Sequence, residues 1–158
     1  MTRLFRIFAA CVVSSGCSIG FAEQCPQGDQ TPETHLSAIA AVRGAELAAF
    51  NSGDVEGMQA ILTEDIVWDS FNRPAYVGIE QSRKLQEALS ARADFFATYE
   101  PDEIIIEGNM AFDRGLWYEK MTLKSNGETS HGVYGTLQIY MRGTDGCWRL
   151  ARSIWNKE

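Results

Sequence analysis

The hydrophobic period changes once along this chain, near residue 100, and that change limits the folds open to it. From Glu33 to Asn51, apolar residues recur at Leu36, Ile39, Ala40, Leu47 and Phe50, the spacing of one helix face in an alanine-rich setting. From Phe112 onward the period is two. Trp117, Glu119, Met121 and Leu123 share one face of a strand over Phe112–Lys124, and Tyr118, Lys120, Thr122 and Lys124 the other. A strand over Thr129–Arg142 divides in the same way, into His131, Val133, Gly135, Leu137, Ile139 and Met141 against Gly132, Tyr134, Thr136, Gln138, Tyr140 and Arg142. Helices first and hairpin-linked strands later is an α+β order.

Turn and cap signals mark the boundaries. Thr31-Pro32 predicts a helix start, with threonine as N-cap and proline in the first turn. Asn51-Ser-Gly53 stops that helix, and Asp54 caps a second, short one running to about Leu62. Thr63 to Ser70 predicts a strand, and Asn72-Arg-Pro-Ala75 a loop. Gly78 to Tyr99 predicts a third helix with Leu85, Ala88, Leu89, Phe95, Phe96 and Tyr99 as its stripe, ended by Pro101. Glu103–Glu107 predicts a short strand. Ser125-Asn-Gly127 and Gly143-Thr-Asp-Gly146 are turns, and Cys147–Asn156 is the last strand. The chain shows no repeat and no second domain.

Residues 1–22 have the make-up of an export signal. Arg3 and Arg6 precede an apolar run from Ile7 to Val13, and Gly20-Phe21-Ala22 supplies small residues before a cut at Glu23. The alternative is a lipoprotein signal, with Ser15-Gly16 before Cys17, although Ser14 stands where an aliphatic residue is usual. Residues 23–30 predict a polar tether, leaving 31–158 as the folded domain and a periplasmic or secreted location. Membrane attachment is expected only if Cys17 is lipidated. Without Arg3 and Arg6, 12 of the 14 basic residues remain against 21 acidic ones, a formal charge of −9. That balance argues against nucleic acid as a partner. Cys25 and Cys147 survive a cut at Glu23, and an oxidising compartment would let them pair, although spacing alone does not decide it. With no CxxC and no cysteine–histidine cluster, no metal is expected.

Three runs carry a family resemblance: Asn51-Ser-Gly-Asp-Val-Glu-Gly-Met-Gln-Ala-Ile-Leu-Thr-Glu-Asp-Ile-Val-Trp68, Gly108-Asn-Met-Ala-Phe112, and Gly146-Cys-Trp-Arg-Leu-Ala-Arg-Ser-Ile-Trp-Asn156. Together they resemble the SnoaL-like group of the nuclear transport factor 2-like superfamily, which includes ketosteroid isomerase. The branch resembled most is largely without an assigned activity. The resemblance implies a cone-shaped roll: three N-terminal helices packed on a strongly bent, mostly antiparallel sheet around an apolar cavity. It also implies a homodimer through the outer sheet face, for which Tyr134 and Tyr140 are candidate contacts.

On that resemblance Asp69 matches the general base of the isomerase, at the end of the first strand. An apolar wall of Trp68 and Phe71 would hold its basicity up. The alternative is a turn aspartate bonding the amides of Phe71 or Asn72. The isomerase also uses a tyrosine and a protonated acid to hold its oxyanion. Aligned from Asn51, the tyrosine position falls on Glu46. The acid position falls near Leu137, with a residue or two of slack. Neither side chain repeats the role, so steroid isomerisation is not expected. Glu46 is either a second carboxylate in the cavity or, the preferred reading, a helix-surface charge that meets Arg43, another base or solvent.

Other candidates are His131 as a proton shuttle or an exposed histidine near a turn, and Trp117 as ligand wall or core. Glu119, if inward, needs a partner such as Arg152. Trp155-Asn156 would close the cavity mouth. Two functions stay open. One is cofactor-free acid–base catalysis (isomerase, dehydratase or hydrolase) on a small apolar organic molecule. The other is a non-catalytic dimeric module that binds a ligand or another protein.

Overall fold

A computed structural model describes residues 31–71 and 73–158. Residues 1–30, over which the sequence predicts a leader and a tether, lie outside the described residues, and Cys25 with them. Helix α1 (Pro32–Ser52) and the short α2 (Val55–Ala60) come first, followed by strands β1 (Leu62–Ser70) and β2 (Tyr76–Val77), then helix α3 (Ile79–Arg92). Strands β3 (Ala93–Glu107), β4 (Met110–Leu123), β5 (Thr129–Arg142) and β6 (Trp148–Lys157) complete the chain. They form one six-stranded mixed sheet in the order β2-β1-β6-β5-β4-β3, in which only β1 and β6 run parallel.

The caps act as the residue types dictate. Thr31 Oγ1 accepts from the Thr34 amide, and Pro32 sits in the first turn, where its missing N–H costs nothing. Gly53 ends α1 at φ 69°, a left-handed conformation that a side chain would resist. Asp54 Oδ1 accepts from the Gly57 amide at 2.9 Å and starts α2. Asn51 locks the end of α1 onto β3: its amide donates to the Ala97 carbonyl at 3.0 Å and accepts from the Ala97 amide at 2.6 Å.

The buried stripe of α1 is Ile39, Val42, Glu46 and Ala49. It meets Met58, Ile61, Ile66, Tyr140, Trp148 and Leu150 in one core. Full burial of an isoleucine such as Ile39 or Ile66, both 0% exposed, contributes about 2–3 kcal/mol. Trp68 Nε1 donates to Ser82 Oγ at 2.9 Å, which fixes α3 over β1.

Three expectations are corrected here. The third helix ends at Arg92, and β3 begins at Ala93. Phe95, Phe96 and Tyr99 are therefore strand residues, and Pro101 lies inside β3, beside a register shift between Pro101 and Glu103. The third helix also follows β1 and β2, so the helices are not one N-terminal block. Tyr134 and Tyr140 do not face outward: Tyr134 lines a cavity, and Tyr140 is 0% exposed in the core. Cys147 is disulfide-bonded, and the other cysteines lie outside the described residues.

Candidate active site

Helices α1 and α3 cover one face of the sheet and leave a cavity of about 270 Å³. Strand alternation decides which side chains enter it. Trp68 from β1, Phe95 from β3, and Trp117, Glu119 and Met121 from β4 point inward. So do Tyr134, Thr136 and Gln138 from β5 and Ser153 and Trp155 from β6. The helices add Glu46, Phe50, Met58, Leu85, Gln86, Leu89 and Arg92. The walls are mainly apolar and aromatic, with a few polar groups, the usual make-up of a small-molecule site.

Glu46 stands at the deep end, 3% exposed. Gln138 Nε2 donates to both of its carboxylate oxygens, at 3.0 and 2.8 Å. Gln138 Oε1 in turn accepts from Tyr140 at 2.6 Å. Burial opposes the charged form and pushes the Glu46 carboxyl up to about 7, against the lowering effect of the Gln138 bonds and of Arg43. A carboxyl poised there serves as either acid or base near neutral pH.

A second polar cluster lies behind it. Asp113, 0% exposed, accepts from Arg43 Nε at 2.9 Å and from Arg43 Nη2, and its other oxygen accepts from Tyr99 at 3.0 Å. The Arg43 guanidinium lies 5.0 Å from the Tyr99 ring centre. Gln86 and Ser153 line the cavity at 8% and 4% exposure, with no side-chain hydrogen bond to any described residue. Each therefore has polar valences to offer a ligand. Among the described residues, no group of three or more histidine, cysteine or carboxylate side chains forms a candidate metal site.

At the mouth, burial raises the pKa of Glu119 and of Tyr134. Arg73 donates from Nε to Ser70 Oγ at 2.7 Å, and its guanidinium carbon lies 5.7 Å from the Trp155 ring centre. Tyr134 lies over Gly132, where a Cβ would stand 2.6 Å from its ring.

Of the residues singled out in the sequence, Glu46, Trp68, Trp117 and Glu119 come together in the cavity. Four do not. Asp69 is half-buried and follows Trp68 on β1, so it faces away from the cavity and pairs with Ile154. Phe71, its expected wall, is 75% exposed. His131 is exposed and pairs with Lys120, and it shares the outer face with Leu137. Asn156 is exposed, while its neighbour Trp155 lines the mouth. Two pairings also differ: Arg43 meets Asp113 rather than Glu46, and Arg152 bonds Asp65 rather than Glu119. Gln138, Gln86, Ser153 and Arg73 were not singled out. Gln138 lies within the slack left around Leu137, one residue on and therefore on the opposite face.

The family model of the SnoaL-like domain matches residues 45–150, and the chain belongs to that family. Its fold is that of the nuclear transport factor 2-like superfamily. A ketosteroid isomerase-like protein from Erwinia carotovora atroseptica is 28% identical, with a TM-score of 0.71 over 78% of this chain and 95% of that one. A nuclear transport factor 2-like superfamily protein from Salmonella enterica is 15% identical, with a TM-score of 0.73 over 80% and 93%. The hexachlorocyclohexane dehydrochlorinase LinA-type3 from Novosphingobium barchaimii is 15% identical, with a TM-score of 0.70 over 78% and 86%. No functionally curated protein matches by sequence.

Proposed function

We propose that this chain is an exported pocket protein whose cavity performs cofactor-free proton transfer on a small organic molecule, with Glu46 as the proton acceptor. The observation that carries this reading is a buried carboxylate at the end of an apolar cavity, its pKa raised to about 7. It takes over the role first assigned to Asp69. Gln86 and Ser153 supply hydrogen-bond donors for charge that develops on the substrate as the proton leaves. Isomerisation, dehydration and elimination of a halide all begin with such a transfer. Names of that kind among the structural neighbours agree with this class of chemistry and do not select within it.

The outer sheet face supports self-association. Ile105 and Met110 are 53% and 47% exposed, Met141 is 40% exposed, and Phe112, Leu137 and Ile139 lie between them on the same face. A second copy covering that face gives the homodimer we propose.

The test is exchange of carbon-bound hydrogen. Incubation of the purified chain in D₂O with a panel of cyclic ketones and halides, read by NMR, is expected to show exchange or elimination in at least one member. Glu46→Gln abolishes it and Asp69→Asn does not. Activity that survives Glu46→Gln and is lost in Asp69→Asn returns the base to Asp69. A second reading has its own support. Gln138 occupies both Glu46 oxygens, so the carboxylate is also suited to holding the cavity in shape for a ligand that is bound and not turned over. Binding without exchange by any member supports that reading.

A further inference from the structure

Eight arginines fall among the described residues. Arg43, Arg83, Arg114, Arg149 and Arg152 are in ion pairs with carboxylates, and Arg142 donates to the side-chain amide of Asn109. The two left with neither kind of partner, Arg73 and Arg92, both line the cavity. In a chain with 21 acidic residues against 14 basic ones, a guanidinium without a carboxylate at a ligand site calls for an account.

Arg73 is held in place as well as unpaired. Its Nε is tied to Ser70, whose β6 neighbour is Trp155, and its guanidinium carbon lies over the Trp155 ring, 5.7 Å from the centre. With Nε fixed, the terminal N–H groups remain to donate. Tyr134 and Arg73 line the same cavity, and Tyr134 lies within the electrostatic reach of both Glu119 and Arg73. Tyr134 and Gln138 are four residues apart on β5, roughly 13 Å of strand. Gln138 marks the Glu46 end. A molecule that touches both ends is therefore about two fused rings long, and aromatic side chains such as Trp68, Trp117 and Phe95 line the cavity between them. The volume sits just below the usual range of about 300–1,000 Å³ for ligand sites, which favours a compact ligand.

The geometry points to a specific substrate class, resting on the proposed role of Glu46: a compact cyclic organic acid. Its carboxylate is held by Arg73 and Tyr134 at the mouth, and its apolar body is directed at Glu46. Arg92, at the C-terminal end of α3, has no side-chain tether to a described residue comparable to the Arg73–Ser70 bond, so its guanidinium is not preset for a carboxylate. Planar guanidinium donors match a carboxylate, and the bond is charge-assisted.

The test compares 2-naphthoate with its neutral counterpart 2-naphthamide, by calorimetry and by quenching of tryptophan fluorescence. Naphthoate is expected to bind about tenfold more tightly than the amide, an advantage that falls with added salt. Arg73→Gln is expected to remove that advantage, with naphthoate losing much more affinity than naphthamide. Arg92→Gln is expected to preserve it. Equal affinities in the parent chain, an advantage that survives Arg73→Gln, one lost only in Arg92→Gln, or no binding of either probe at millimolar concentration overturns the proposal. The reading of Glu46 fails separately, through an ordinary carboxyl titration in a chain whose naphthoate preference is intact.

Discussion

One amide nitrogen, Nε2 of Gln138, donates to both carboxylate oxygens of Glu46, at 3.0 and 2.8 Å, while Oε1 of the same side chain accepts from Tyr140 at 2.6 Å. The Tyr140 hydroxyl thereby fixes which end of the Gln138 amide meets the carboxylate. Gln138 and Tyr140 are 1% and 0% exposed, so water does not replace a lost partner there. Tyr140→Phe leaves a buried carbonyl oxygen unsatisfied, at a cost of about 1–3 kcal/mol in urea unfolding. A cost near zero would mean that the hydroxyl does not hold the amide.

Stability is expected to fall as pH rises from about 4.5 to 7. In that window the folded chain keeps the Glu46 proton that the unfolded chain has released, so the unfolded state binds fewer protons and unfolding becomes easier. The full effect is on the order of 3 kcal/mol, because each tenfold change in proton affinity is worth about 1.4 kcal/mol. Glu119, also raised by burial, acts in the same direction. Glu46→Gln removes its own share. The stability difference between variant and parent is thus expected to grow in the variant's favour from about pH 4.5 to about pH 7 and then level off. A difference independent of pH would contradict a raised carboxyl.

Arg43→Met leaves Asp113 as a buried, unpaired charge and is expected to cost about 3–5 kcal/mol, read by urea unfolding. The double change Arg43→Met with Asp113→Leu removes both charges and is expected to cost less than the single one. The same single change raises the Glu46 pKa further, because Arg43 is among the groups that hold it down.

The proposed dimer is testable on the outer face. Ile139→Glu puts a charge among Phe112, Leu137 and Met141 while leaving the cavity face of β5 untouched. Light scattering is expected to show a dimer for the parent chain and a monomer for the variant, with folding preserved. A parent chain that is monomeric at all concentrations would sink the dimer.

Much of the fold was legible because period and punctuation agree. β5 spans Thr129–Arg142 as alternation and the flanking turns require, and Thr31 and Gly53 bound α1 as their chemistry predicts. The α3–β3 junction was not legible. Phe95, Phe96 and Tyr99 continue the helical spacing of Leu85 and Leu89, while Phe95, Ala97 and Tyr99 equally fit a strand face. Pro101, a natural helix stop, is tolerated in β3 beside a bulge. At the site, Asp69 was misplaced although the signal was present: a buried Trp68 on an alternating strand forces its neighbour to the other face. Glu46 shares helical spacing with Ile39, Val42 and Ala49, and a carboxylate inside an apolar stripe was the available sign of a buried acid. Gln138 and Arg73 left no such mark, since their roles depend on which sheet face the helices cover and on which loop returns to the mouth.

The most direct measurement is the carboxyl ¹³C titration of Glu46 in the folded chain, assigned against Glu46→Gln. A midpoint near 7 is predicted. A midpoint near the ordinary glutamate value of about 4.3 would contradict the account, because such a carboxylate is not held in a dry cavity and is not poised to take a proton from carbon.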